Sequence, residues 1–450
     1  MRAPRIMMAA PSSGSGKTLI TCGLLQALVN RKMNVSSFKC GPDFIDPMFH
    51  EKVIGTRSGN IDLFMAGRDT AKHLFCRSAE GSDISVIEGV MGFYDGIGPA
   101  STESSSYDVS SQLDVPVMLV VNGRGASASI LPMIKGFVEY KRNNIKGVIL
   151  NNVSEKIYEG LKGAIEKELG IAAPGYVPKV KELVIESRHM GLVMPHEVDM
   201  LKEKLNDLSK ILERTLDIDA IVRIADSASD IICTGPALGR GKIKARIGVA
   251  ADECFCFLYK DNIGLLEKLG AEIVYFSPLR DKRIPDGVSG IIVPGGYPEL
   301  YADTLSDNTG MLRSIKESVA GGMPCLAEGG GFLYLHDELE DTSGRYHKMA
   351  GVVNGRAFRT DKISKFGYTS VTVRNGGLME KGVTLKGHEF HYWDSTSCGS
   401  DCEGTKTSGT IHECMHNGNN VFIGFPHLYY YSNPDAMRRF LTECKRYSGR

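Results

Sequence analysis

"RIMMAAPSSGSGKTLITCGLLQALV", residues 5 to 29, sets the fold. A strand-length apolar run, Arg5 to Ala10, enters a glycine- and serine-rich turn, and a helix-length segment leaves it. "PSSGSGKT", Pro11 to Thr18, sits at that junction. Strand, glycine loop and helix in this order make a phosphate-binding loop. Its backbone N–H groups wrap phosphates, and the helix N-terminus adds partial positive charge. The loop residues are Ser13, Gly14, Ser15, Gly16, Lys17 and Thr18. Lys17 reaches the β- and γ-phosphates and Thr18 supplies a hydroxyl to Mg2+. Pro11 stands where the usual pattern has its first glycine. ATP with Mg2+ is the expected ligand.

Further along, "NVSSFKC", "DISVIEG", "VPVMLVV" and "IKGVILNN" are buried-strand runs separated by helix-length segments. That alternation predicts a parallel sheet with helices on both faces. Residues 197–242 turn helical and charged, and "ARIGVAAD" then restarts a strand. "AEIVYFSP", "VSGIIVPGG" and "MPCLAEGG" repeat the βα alternation, followed by strands and turns rich in Gly and Asn. The expected architecture is α/β throughout: a P-loop parallel-sheet domain (1–200), a helical connector (201–243) and a second α/β domain (244–440).

A chain of 450 residues exceeds one ordinary core, which agrees with two domains. With 53 basic and 53 acidic residues, no charge excess points to nucleic acid or an anionic membrane. No apolar run approaches the roughly 18 residues of a bilayer span, and the first residues are too briefly apolar for a secretion signal. Eleven scattered cysteines, an odd number, fit a reduced cytoplasmic compartment. Cys398, Cys402, His412 and Cys414 are conceivable zinc ligands whose spacing matches no standard site.

Two acidic stretches end strands. "KCGPDFIDP" brings Asp43 and Asp46, and "SVIEGVMGFYDG" brings Glu88 and Asp95. Ligands of open α/β sheets gather at the carboxyl ends of strands. Carboxylates beside a triphosphate hold Mg2+ or position a substrate. Thr18, Glu88 and Asp43 are the candidate metal ligands.

"PCLAEGGGFLYL", residues 324 to 335, is a second strand–turn–helix, with the geometry of a nucleophile elbow. Its turn holds only Gly329, Gly330 and Gly331.

Together, "APSSGSGKT", "KCGPDFIDP", "IEGVMGFYDG", "SRHMGLVMPHE", "YKDNIGLLEKLGAEIVYFSPLRD", "PGGYPE", "GHEFHYWD" and "PHLYYYSNP" resemble the cobyrinate a,c-diamide synthases. These are glutamine-dependent amidotransferases of corrinoid biosynthesis, and the likeness runs from about residue 3 to 440. The enzyme that amidates Ni-sirohydrochlorin shares most of the motifs. The resemblance implies a dethiobiotin-synthetase-like P-loop domain followed by a class I glutamine amidotransferase-like domain. It implies ligase chemistry: a macrocycle carboxylate attacks ATP, and ammonia converts the acyl phosphate to an amide. Asp43, Glu88 and Asp95 would serve metal and carboxylate positioning. Ser187 and Arg188 fall in a motif near the family's cleft, and His388, Glu389 and His391 would help shape that cleft.

In the family, a cysteine on the elbow attacks glutamine and a histidine activates it. His427 matches the histidine, and Gly295 and Gly296 match the oxyanion turn. The family's Ala-Glu-Cys-Gly-Gly reads Ala-Glu-Gly-Gly-Gly here, so Gly329 occupies the nucleophile's place. Tyr429 stands where other class I triads carry Glu. Cys325 lies four residues upstream, roughly 13 Å at about 3.3 Å per residue. It reads as a buried strand thiol, and Cys254 and Cys256 are weaker substitutes still. Glycine tolerates elbow angles freely, so an intact turn with an empty pocket is expected. Ala251 and Asn122 replace the family's usual Arg and Asp. Ammonia or glutamine, a tetrapyrrole such as cobyrinate, and a second copy of the chain in a homodimer are the expected partners. Amidation of Ni-sirohydrochlorin, or a paralogue that binds nucleotide and tetrapyrrole without turnover, are the alternatives.

Overall fold

A computed structural model describes residues 1–180, 195–236, 238–239 and 241–449. Ser187 and Arg188 lie outside the described residues. The chain forms two compact units. The first holds Met1–Leu63 and Gly67–Pro236, the second Phe64–Ala66 and Ala237–Arg450.

The first unit is built on seven strands: β1 (Arg5–Ala9), β2 (Val35–Cys40), β3 (Arg57–Ile61), β4 (Ile84–Glu88), β5 (Val117–Asn122), β6 (Ile145–Asn151) and β7 (Ala172–Val177). All pair in parallel, in the order β3-β2-β4-β1-β5-β6-β7. Strands β1, β2 and β4 are buried at every position, as helices on both faces require. Register matters more than order for the site. Met8 of β1 and Lys39 of β2 both pair with Glu88 of β4, so residues near the ends of three strands lie side by side.

Helix α1 (Lys17–Asn30) follows β1 through the glycine loop. Helices Pro195–Thr215 and Ile218–Asp226 pack on this unit: Leu205, Leu208, Leu212, Ile218 and Ile221 share a core with Leu24, Leu25 and Leu28 of α1. A Cβ on Gly23 would stand 2.6 Å from Leu212 Cδ1, so glycine lets the two helices approach. Each leucine buried there contributes about 2 kcal/mol. These helices lie in the stretch expected as closing helices of the first domain and a connector, 201–243. They are amphipathic because they cover a core, and the boundary falls after Pro236.

The second unit opens with β8 (Ala245–Ala250), β9 (Ala271–Phe276), β10 (Gly290–Val293) and β11 (Cys325–Glu328). They form a parallel sheet ordered β11-β10-β8-β9, extended beyond β11 by strand Val421–Gly424. Phe255, Ile291, Val293, Cys325, Ala327 and Phe332 lie in its core. A separate five-stranded antiparallel sheet contains Lys365–Val373, Thr384–His391 and His427–Tyr429. It comes from the stretch read only as mixed strands and turns.

Cys76 and Cys233, separated by 157 positions, form a disulfide, and the other nine cysteines are free thiols. Uniformly reduced cysteines are therefore not what the structure shows. Folding alone brings that pair together. No described helix is long and apolar enough to cross a membrane.

Candidate active site

In the first unit the loop after β1 needs its glycines. Gly14 and Gly16 have φ of 77° and 95°, a region costly for residues with a Cβ. A side chain on Gly16 would also collide with Asn151, whose Nδ2 donates to the Ser15 carbonyl at 2.9 Å. Helix α1 starts with no side-chain cap and no acid in its first turn, which leaves its amino end open to an anion. Ser15 Oγ donates to the Ser12 carbonyl at 2.9 Å and steadies the loop, while Ser13 is exposed.

Lys17 is 7% exposed and donates to the carbonyl oxygens of Met91 and, at 3.5 Å, Ser12. Burial lowers its pKa, and repulsion from Lys39 adds to the effect. Asp95 Oδ2 accepts from Gly92 N at 2.8 Å, so this carboxylate shapes the loop that carries the Met91 carbonyl. Its place in the structure is to hold the acceptor of Lys17.

Glu88 is fully buried at the end of β4. Its Oε1 accepts from Thr18 Oγ1 at 2.6 Å and from Lys39 Nζ at 2.7 Å. Lys39 also pairs with Asp46. Burial penalises the Lys39 charge, yet Glu88, Asp46 and Asp43 outweigh it and hold the ammonium well above its usual range. Burial would raise Asp46 as well, but Lys39 overcomes this and holds it low. Asp43, half-buried, is pushed up to about 6 by desolvation first and by the neighbouring Asp46 second. Its Oδ1 accepts from Ile45 N at 2.7 Å, so Asp43 is tied into its own turn.

A hydroxyl and a carboxylate sharing one hydrogen bond are a donor set suited to Mg2+. Among the described residues Glu88 Oε2 is buried without a hydrogen-bond partner, so the carboxylate has unused acceptor capacity. Among the described residues no group of three or more His, Cys, Asp or Glu is placed to hold a metal ion. The structure brings Thr18 and Glu88 together, while Asp43 is engaged by Ile45 and Asp46. Asn122 accepts from Arg124 N at 3.1 Å and Asn152 Nδ2 at 3.2 Å, a backbone-shaping role.

Sequence reasoning missed Lys39 and His50. His50 is buried, 3.7 Å from Glu88 Oε2, and among the described residues neither ring nitrogen has a hydrogen-bond partner. The available signal was a lysine at the last position but one of a strand, two residues before the Gly-Pro turn.

In the second unit β11 runs into Gly329, with φ 49° and ψ −116°, and a short helix follows, Gly330–Tyr334. Gly329 N donates to the Gly424 carbonyl at 3.0 Å. The turn is therefore intact. The pocket is not empty, which corrects the expectation. A Cβ built on Gly329 would stand 2.5 Å from His427 Cε1 and 2.6 Å from its Nε2. The imidazole fills the room a side chain would take.

His427, Gly295, Gly296 and Gly329 come together. A Cβ on Gly295 would also meet His427, and one on Gly330 would lie 2.6 Å from the Gly296 carbonyl oxygen. The turn at Gly296 is fixed by Tyr297 N donating to the Cys254 carbonyl at 2.9 Å. His427 stacks on His388 with ring centres 5.2 Å apart. Burial and repulsion from His391 push its pKa down to about 4, so the ring is neutral at pH 7. Glu328 is pushed up to about 8 by burial and is also largely neutral there. Tyr429, in the place of a third triad member, donates to Asp261 Oδ2 at 2.8 Å.

Strand alternation splits His388, Glu389 and His391. His388 faces His427, whereas Glu389 pairs with Lys406 and His391 stacks on Phe425. Cys325 is buried in β11 with its thiol pushed up to about 12, and burial raises Cys254 too. Neither is a thiolate at neutral pH, and Cys256 is half-buried. The zinc reading fails as well. Cys402 and Cys414 face each other across two strands, His412 turns to Glu389, and Cys398 turns to Asp394. Ala251 N donates to the Phe276 carbonyl at 2.9 Å.

Comparison with known proteins agrees with this division. Residues 6–193 match the CobQ/CobB/MinD/ParA nucleotide binding domain, and residues 246–434 the CobB/CobQ-like glutamine amidotransferase domain. A protein of Caldanaerobacter subterraneus subsp. tengcongensis is 38% identical over 98% of both chains. One from Picrophilus torridus is 38% identical over 99% of both. One from Clostridium acetobutylicum is 38% identical over 97% of this chain and 99% of its own. All three are named cobyrinate a,c-diamide synthase. By two domain matches in order and full-length likeness, the chain belongs to the cobyrinate a,c-diamide synthase family, ligases that form carbon–nitrogen bonds.

Proposed function

We infer that the protein uses ATP and Mg2+ to amidate the a and c carboxylates of cobyrinate, taking ammonia directly. The observation that supports this most is the junction of Thr18 and Glu88 beside Lys17, at the open amino end of α1. A bound Mg2+ would neutralise phosphate charge there. Thr18 and Glu88 would hold it, and Lys17 would turn from the Met91 carbonyl to the phosphates.

The chemistry needs positioning more than covalent help from the protein. A carboxylate oxygen bonds to the γ-phosphorus as the bond to ADP breaks. Ammonia then adds to the acyl carbon, phosphate leaves, and the nitrogen loses a proton to solvent. Gly329 has no group with which to open glutamine, and His427 occupies the adjoining space. The second domain keeps the form of a glutaminase without its nucleophile.

Release of phosphate from ATP should depend on Mg2+ and on cobyrinate in purified protein. Stimulation by Ni-sirohydrochlorin alone would reassign the macrocycle. No stimulation by either, with ATP still bound, would leave a non-catalytic binding protein.

A further inference from the structure

Lys39 belongs to no part of the phosphate loop, yet it draws the carboxylates of the first unit together. It is 7% exposed, and strand register sets it directly beside Glu88. Its Nζ donates to Glu88 Oε1 at 2.7 Å and pairs with Asp46. That same Glu88 oxygen accepts from Thr18 at 2.6 Å. A divalent cation held by Thr18 and Glu88 would thus compete with the Lys39 ammonium for one oxygen. Two cations at contact distance in a dry pocket repel strongly. Glu88 Oε2 lies 3.7 Å from buried His50, so the oxygen that Thr18 shares is the one Lys39 holds.

We propose that Lys39 is the built-in counter-ion of the metal-binding carboxylate and, displaced from Glu88 by Mg2+, turns to the substrate carboxylate that attacks ATP. The inference rests on the ATP-dependent ligase reading above. Charge carries its second half. An entering acid must approach Asp43, Asp46 and Glu88, and without a cation it is repelled. Lysine is a point charge on a flexible stem, suited to changing partners. Its position near the carboxyl end of β2 is where ligands of such sheets gather. Lys39 keeps its protons throughout and lowers the charge on the acid as the oxygen–phosphorus bond forms.

The test measures ADP binding by calorimetry over a series of free Mg2+ concentrations, beside cobyrinate-dependent ADP release. Lys39→Met should bind Mg2+ more readily, lowering half-saturating Mg2+ about threefold or more as competition disappears. Its turnover should fall about 100-fold, with a raised KM for cobyrinate. Lys39→Arg keeps the charge, so its Mg2+ requirement should stay level or rise, and its KM for cobyrinate should stay within about threefold of the unmodified protein. A higher Mg2+ requirement in Lys39→Met would overturn the proposal and make Lys39 a prop for Glu88. If that variant does not fold, Lys39→Arg decides: an eased Mg2+ requirement, or a cobyrinate KM raised about tenfold, overturns it. Unmodified protein that binds no Mg2+ and ADP removes the ligase reading and this inference with it.

Discussion

Each unit buries a carboxyl group at the end of a parallel strand, Glu88 at the end of β4 and Glu328 at the end of β11, and the two meet opposite fates. Glu88 is met by the Lys39 ammonium and the Thr18 hydroxyl. Glu328 has a backbone N–H, the Tyr430 hydroxyl and a neutral imidazole 4.0 Å away, and burial drives it up to about 8. Burial costs a charge several kcal/mol unless a partner offsets it. The first unit therefore sets a cation against its buried carboxyl group. In the second, burial leaves Glu328 and His427 largely neutral at pH 7.

The sharpest way to break this contrast is to remove charge from the first unit. Lys17→Met should lower macrocycle-dependent ATP turnover about 1,000-fold, with ATP affinity falling alongside. Glu88→Gln should cost about 100-fold and raise the Mg2+ requirement. Steady-state assays across Mg2+ concentrations check both, and losses under tenfold would put the phosphate chemistry elsewhere.

Changes in the second unit should leave ammonium-supported turnover alone. Gly329→Cys should create some glutamine use where none existed, short of the ammonium rate because His427 must turn aside. The strained backbone should cost about 1–3 kcal/mol of stability, read by thermal melting. No gain in glutamine use would show that the oxyanion turn or His427 is also out of place.

A smaller effect concerns pH. The folded value for Glu328, about 8, lies above its ordinary 4.5, so the folded state binds the extra proton between them. Stability from this group is full below about 4.5 and is lost as pH rises toward 8. The His427 value, about 4, lies below the ordinary 6.5, so its contribution is lost as pH falls through that window. Glu328→Gln should flatten the alkaline decline in denaturant midpoint. An unchanged slope would place the buried proton on another group.

Much of this was legible in the residues. The glycine loop, the strand ends carrying Glu88 and Asp95, and the Gly329 turn follow from local pattern: period, breakers and turn chemistry. What was hidden depends on register and on packing at a distance. As sequence, Lys39 is one strand lysine among others, and parallel pairing sets it beside Glu88. The leucines of Pro195–Thr215 look like a connector's amphipathic face, because period reports a buried stripe without saying which core it joins. Cys76 and Cys233 are joined only by folding. The occupied space at Gly329 comes from a histidine 98 positions later, which no turn rule foresees.

The most direct test supplies purified protein with ATP, Mg2+, cobyrinate and one nitrogen source at a time, and counts amides formed by mass. Ammonium should yield the diamide, and glutamine, freed of contaminating ammonia, should yield almost none. Equal yields from glutamine would contradict the account, because a nucleophile would then be present that Gly329 cannot provide.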